Sequence, residues 1–75
     1  MEEKLNEILS EFDEELVSYT GDNVFDDGLL DSIQVVELVW KLEQEFGVKI
    51  KAENIVEENF CNKAAILKLL NDLKN

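Results

Sequence analysis

The stretch from Ser32 to Phe46 constrains this chain more than any other, because it reads as a helix and as little else. Val35, Leu38, Val39, Leu42 and Phe46 recur at i, i+3, i+4, i+7 and i+11. That spacing stacks side chains on one face at 3.6 residues per turn. Both ends are marked as well. Asp31, with Gln34 three residues on, matches a capping box, and Gly47 stands where a left-handed residue closes a helix. A second feature lies nearly opposite the first: Ile33 and Trp40, with Glu37 and Gln44 among them. One apolar stripe is what any amphipathic helix needs to join a core. A second, built of isoleucine and tryptophan around a carboxylate, calls for a role outside the core.

The remaining segments supply what this helix packs against. Leu5, Ile8, Leu9, Phe12 and Leu16 predict a first helix over Glu2 to Val17. Its early acids suit the helix dipole, whereas Glu14 and Glu15 near its end oppose it at about a few tenths of a kcal/mol each. Ser18 to Asp31 reads as a long polar connection, draped over the core by Tyr19, Val24, Phe25, Leu29 and Leu30. Val48 and Ile50 alternate with lysines and read as an extended link whose apolar side chains return inward. A short third helical turn is expected within Ala52 to Phe60, with Ile55, Val56 and Phe60 facing the core. A last helix is expected over Asn62 to Leu73, with Ile66, Leu69, Leu70 and Leu73 as its stripe. Asn62 or Cys61 would cap it, and Lys74 suits its C-terminal end. With no proline and only three glycines, the fold class is all-α. The expected architecture is a four-helix bundle with a long connection between helices 1 and 2 and a short third helix, one domain over residues 1–75.

Composition removes most functions. Eighteen acids face seven lysines, with no arginine or histidine, for a formal charge of −11. Phosphate backbones and anionic membranes need a basic surface, so neither nucleic acid nor membrane insertion is expected. No apolar run approaches the length of a membrane span. Basic patches on other proteins are the natural counterpart. The lone Cys61 cannot form an internal disulfide, which fits a reducing, cytoplasmic setting; it reads as a small buried or capping residue. Without histidine there is no Ser–His or Cys–His pair, and a zinc site lacks its ligands. The segment from Asn23 to Gln34 puts Gly28 at the sixth position of a calcium loop, but Phe25 and Gln34 occupy two ligand positions. Neither an enzyme nor a metal site is expected.

What remains is Asp31-Ser32 at a helix start. Taken alone, the pair is a cap. It also puts a hydroxyl where unpaired backbone N–H groups and the dipole favour a phosphate. Gly28-Leu29-Leu30-Asp31-Ser32-Ile33, then Val36-Glu37-Leu38 and Leu42-Glu43-Gln44-Glu45-Phe46-Gly47, closely resembles the acyl carrier protein superfamily, whose phosphopantetheine arm is borne by a serine. The pattern of helices resembles that superfamily along the whole chain. The run Phe25-Asp26-Asp27-Gly28-Leu29-Leu30-Asp31-Ser32 is most similar to the D-alanyl carrier branch. The chain departs from that branch at Ile33, commonly phenylalanine there, and in carrying Trp40. Fatty-acid carriers, with Gly-Ala-Asp-Ser-Leu, fit less well.

The resemblance implies a carrier, not an enzyme. Ser32 would bear 4'-phosphopantetheine, and Asp31 would help hold magnesium while a phosphopantetheinyl transferase attaches it. The arm's thiol would hold an acyl or aminoacyl group, D-alanine first, as a thioester. Ile33, Val36, Glu37, Trp40 and Gln44 would form the docking face for an adenylating ligase or acyltransferase with a basic patch, and the chain would act as a monomer. Two alternatives stay open: a fatty-acid or polyketide-type carrier, and a carrier-like interaction module that is never modified. Trp40 could instead fold back onto the core.

Overall fold

The computed structural model describes residues 2–74, and every regular element among them is helical. In chain order these are α1 (Glu2–Phe12), α2 (Glu15–Ser18), α3 (Ser32–Phe46), a 3-10 turn (Ala52–Asn54), α4 (Glu57–Phe60) and α5 (Lys63–Lys74). The all-α class holds, and the bundle takes the carrier-like arrangement, with α1 against α3 and α4 against α5.

Helix α3 forms where its periodicity places it. Leu38 and Leu42 are wholly buried, Val35 and Val39 nearly so, and they join Leu5, Ile8 and Leu9 of α1 in one apolar cluster. Burying each such side chain contributes about 1.5–3 kcal/mol. Phe60 from α4 and Leu70 from α5 close the cluster from the other side, both with no exposed surface. Gly47 ends α3 in the left-handed region (φ 64°) and donates its N–H to the Glu43 carbonyl at 3.0 Å. The link that follows turns inward at Ile50, which is buried, and its N–H is held by the Glu43 carboxylate at 2.8 Å.

The first helix departs from its expected span. It stops at Phe12 and resumes for one turn at Glu15–Ser18 instead of running to Val17. Asp13 is the cause: its carboxylate accepts the Glu15 N–H at 3.0 Å, offering the backbone a partner outside the helical ladder. The break reverses the electrostatics of Glu15, which now sits in a first turn, where an acid suits the dipole. Lys63 ties the broken pieces to α5, donating to Glu2 Oε2 (3.2 Å), Asn6 Oδ1 (3.2 Å) and the Val17 carbonyl (3.5 Å).

The third helical region also differs in detail, dividing into the 3-10 turn and α4. Of the three side chains expected to face inward there, Phe60 is buried and Ile55 half-buried, but Val56 is 44% exposed. Val56 precedes α4 in an extended conformation (φ −127°, ψ 154°), which takes it off the inward face of the turn that follows. The last helix begins at Lys63 with Asn62 as its cap, Oδ1 accepting the Ala65 N–H at 2.8 Å. Cys61 is half-buried and does not cap it.

Candidate functional site

The connection into α3 is held by its own polar groups. Asn23 Oδ1 accepts the N–H of Phe25 (2.8 Å) and of Asp26 (3.3 Å), which turns the chain tightly at its acidic apex. The Tyr19 hydroxyl accepts the Asn23 N–H at 3.0 Å and donates to the Asp27 carboxylate. That hydrogen bond to Asp27, with partial desolvation, holds the Tyr19 phenol above the ordinary tyrosine value near 10. Val24 and Leu30 are buried on either side of the apex, and the Val24 N–H reaches the Cys61 carbonyl at 2.7 Å. Gly28, at φ 76°, closes the turn with its N–H on the Phe25 carbonyl. The connection is therefore fastened at both ends and leads into α3 at one defined point.

At that point the capping box is complete. Asp31 Oδ1 accepts the Gln34 N–H at 2.8 Å, and Gln34 Oε1 accepts the Asp31 N–H at 3.1 Å. The box satisfies Gln34 but leaves the N–H groups of Ser32 and Ile33 without an acceptor among the described residues. Ser32 itself is exposed, and its hydroxyl has no hydrogen-bond partner among the described residues. A phosphoryl group esterified to that oxygen would meet two free donors and the positive end of a 15-residue helix. These features fit the phosphate of a phosphopantetheine arm. The chain has no histidine to act as a base for the hydroxyl.

Beside Ser32 lies an open hollow of about 380 Å³, lined by Ser32, Phe25, Val35, Val36, Ile55, Val56 and Glu57. Three of these come from the segment between α3 and α5, which sequence periodicity alone does not place next to Ser32.

On the outer side of α3, Ile33 is 70% exposed, Val36 64% and Trp40 60%. At 100° per residue these three, with exposed Glu37 and Gln44, span an arc of roughly 100° opposite the buried stripe. Trp40 therefore lies outside the core. Lys41, the one lysine of α3, turns away to Glu11 of α1 at 3.5 Å. Val56 extends the apolar strip across from the next element, an exposure that reading it as a core residue had hidden. The only signal in the sequence was its place directly before the acidic start of α4.

A protein-family model described as "Phosphopantetheine attachment site" matches residues 3–59. Two D-alanyl carrier proteins, from Listeria welshimeri and Listeria monocytogenes, are each 31% identical to this chain over 74 residues. The alignment covers 96% of this chain and 95% of each relative. Among the described residues, no helix is long and apolar enough to cross a membrane.

Proposed function

This chain belongs to the phosphopantetheine attachment-site family, a family of carriers modified by separate enzymes, and on that premise we propose that Ser32 is the residue that bears the arm. The arm's terminal thiol holds an acyl or aminoacyl group as a thioester. D-alanine is the cargo we assign, on the likeness to the D-alanyl carrier proteins and on the Phe25 to Ser32 run. The observation that carries the reading is the mouth of α3: an exposed hydroxyl and two N–H donors, none with a partner among the described residues, held there by a capping box.

The reaction divides between proteins. On a phosphopantetheinyl transferase, which would supply the base and metal, the Ser32 hydroxyl loses its proton to that base and its oxygen attacks the pantetheine-side phosphorus of coenzyme A's diphosphate; the bridging P–O bond breaks, 3',5'-adenosine bisphosphate leaves, and the phosphodiester settles on the helix N-terminus. Asp31 holds its neighbour in place through the cap, and its carboxylate would help hold the transferase's magnesium. An adenylating ligase, or an acyltransferase, then docks on Ile33, Val36, Glu37, Trp40 and Gln44. Its basic patch meets Glu37 and the loop acids while Ile33 and Trp40 give apolar anchors, a division that speeds encounter more than it deepens affinity. Residues 1–75 act as a single carrier domain, monomeric and cytoplasmic. Tethering raises the cargo's effective concentration at each partner, to about the millimolar range for a short flexible tether.

Mass spectrometry after incubation with coenzyme A and a phosphopantetheinyl transferase tests the attachment. One phosphopantetheine mass should appear on the wild type and be absent from Ser32→Ala. Failure of the wild type to gain mass with several transferases would favour an unmodified interaction module. Offering the modified protein labelled D-alanine, L-amino acids and fatty acids with their activating enzymes tests the cargo. Loading by fatty acids alone would move the assignment to a fatty-acid or polyketide-type carrier.

A further inference from the structure

The chain's three glycines serve two different needs. Gly28 and Gly47 take positive φ, and a β-carbon at either would meet open space. Gly21 takes no such conformation; what it leaves is room, since a β-carbon there would run into the hydroxyl and ring of Tyr19. The half-buried Tyr19 thus lies against the Gly21 backbone, and from there its hydroxyl reaches both ends of the acidic apex. It accepts the Asn23 N–H at 3.0 Å and donates to the exposed Asp27 carboxylate. Further links run on toward α3. The Asp27 N–H meets the Asn23 carbonyl at 3.3 Å, the Gly28 N–H meets that of Phe25 at 3.2 Å, and the Leu29 N–H meets that of Val24 at 2.9 Å. Buried Leu30 and the Asp31 capping box complete the path to Ser32. Those links fix the course of the chain. The Tyr19 hydroxyl alone, among the described residues, holds a carboxylate of the apex: the side chains of Asp22 and Asp26 have no partner there.

We propose that Tyr19 is a positioning residue for the attachment reaction: its hydroxyl keeps Asp27, and with it the acidic apex, at a fixed place relative to Ser32, so that a basic enzyme surface meets the acids and the serine as one array. The proposal rests on the reading that Ser32 bears the arm. Tyr19 touches neither coenzyme A nor the reacting oxygen, so it acts on binding and not on the bond-making step. A partner that meets acids already ordered loses less free energy in ordering them. Where only a fraction of carriers holds the apex in place, apparent affinity falls by that fraction.

The test follows modification from coenzyme A by intact mass at several carrier concentrations, with every variant checked for fold by circular dichroism. At low salt Tyr19→Phe should raise the KM for the carrier about three- to tenfold and leave kcat unchanged. Gly21→Ala should do the same by displacing the ring, and the double variant should do no more than either alone, since both remove one contact. At about 0.5 M salt, where attraction between exposed charges is screened, the difference should shrink below about twofold. Ile66→Val, a loss of packing in the core, should move neither constant while the protein stays folded. Unchanged KM in Tyr19→Phe, a fall in kcat in place of a rise in KM, or a difference that persists at high salt would overturn the positioning role. So would nitrogen-15 relaxation of the wild type, which needs no variant, if the Asp26 and Asp27 amides move on the picosecond-to-nanosecond scale while those of α3 are rigid. Absence of any mass gain in the wild type, or its persistence in Ser32→Ala, would overturn the underlying reading instead, and that is known before any kinetics are recorded.

Discussion

Val39 and Trp40 are neighbours in the chain, about 100° apart around α3, yet Val39 is 7% exposed and Trp40 60%. Residue type alone would have placed tryptophan inside as readily as valine. Angular position decides the matter: Val39 falls in the arc shared with Val35, Leu38 and Leu42, which α1 and the later helices cover, and Trp40 falls in the arc that no described element covers. The inward face is purely apolar and holds the bundle together. The outward face mixes Ile33, Val36 and Trp40 with Glu37 on a strongly acidic protein, which is poor material for a core and suitable material for a partner. One helix thus presents two separable faces, one that holds the bundle and one that we propose as the docking face, and substitutions can be chosen to disturb one and spare the other.

Leu38→Ala should give the largest effect on stability. The side chain has no exposed surface, and truncation at such a site costs about 2–5 kcal/mol, the spread reflecting how far the cavity collapses. Urea denaturation followed by circular dichroism measures it. A loss below about 1 kcal/mol would mean that the inward face does not anchor the fold.

Asp31 lies where both faces begin, and two substitutions separate its cap from its proposed part in modification. Asp31→Ala removes the acceptor for the Gln34 N–H and should cost about 0.5–2 kcal/mol. Asp31→Asn keeps a side-chain oxygen in the same place and should stay within a few tenths of a kcal/mol, asparagine being about as good a cap. If the carboxylate also serves the transferase's magnesium, both variants slow modification, including the one that folds normally. Equal modification rates for wild type and Asp31→Asn, measured by time-resolved intact mass, would confine Asp31 to the cap.

Trp40→Ala should move stability by no more than about 0.5 kcal/mol, because little packing is lost. Its affinity for the loading enzyme, measured by calorimetry, should fall by about tenfold or more, as expected for an aromatic anchor worth over 1 kcal/mol. The reverse pattern, a large loss of stability with unchanged affinity, would dissolve the distinction between the two faces.

How much of this was legible beforehand follows the range of the forces involved. The start and end of α3, its buried stripe and the exposure of its opposite arc are written in local spacing, in Asp31 with Gln34, and in Gly47. The inward return of Ile50 was legible as an apolar residue stranded in a polar link. The break at Asp13 was not, since a side chain that competes for one backbone N–H leaves the apolar periodicity of Leu9, Phe12 and Leu16 intact. Val56 was misplaced because a valine between Ile55 and two glutamates has no periodicity of its own, and its direction depends on how α4 is entered. The hollow beside Ser32 joins residues more than twenty positions apart. Only tertiary packing brings them together.

The smallest effect at neutral pH, and the finest test of the two-face comparison, lies in alkaline solution. The inward side of α3 includes no titratable group, as the buried residues are all apolar. The connection that leads to Ser32 does include one: Tyr19, whose hydrogen bond to Asp27 and partial desolvation raise the phenol above its ordinary value near 10. A phenol raised in the folded state gives stability that is fully present below the unfolded value. That stability is lost as pH climbs through the folded value, since in between the folded chain keeps a proton the unfolded chain has released. Stability should therefore decline above pH 10 more steeply in the wild type than in Tyr19→Phe. Because Tyr19 is the only tyrosine, phenolate absorbance reads its titration directly. Amide signals of Asn23, Val24 and Gly28 should shift along with it, ahead of those of Leu38 and Leu42. Titration at or below the ordinary value, or simultaneous shifts at Leu38, would mean that the loop and the inward face of α3 respond as one unit.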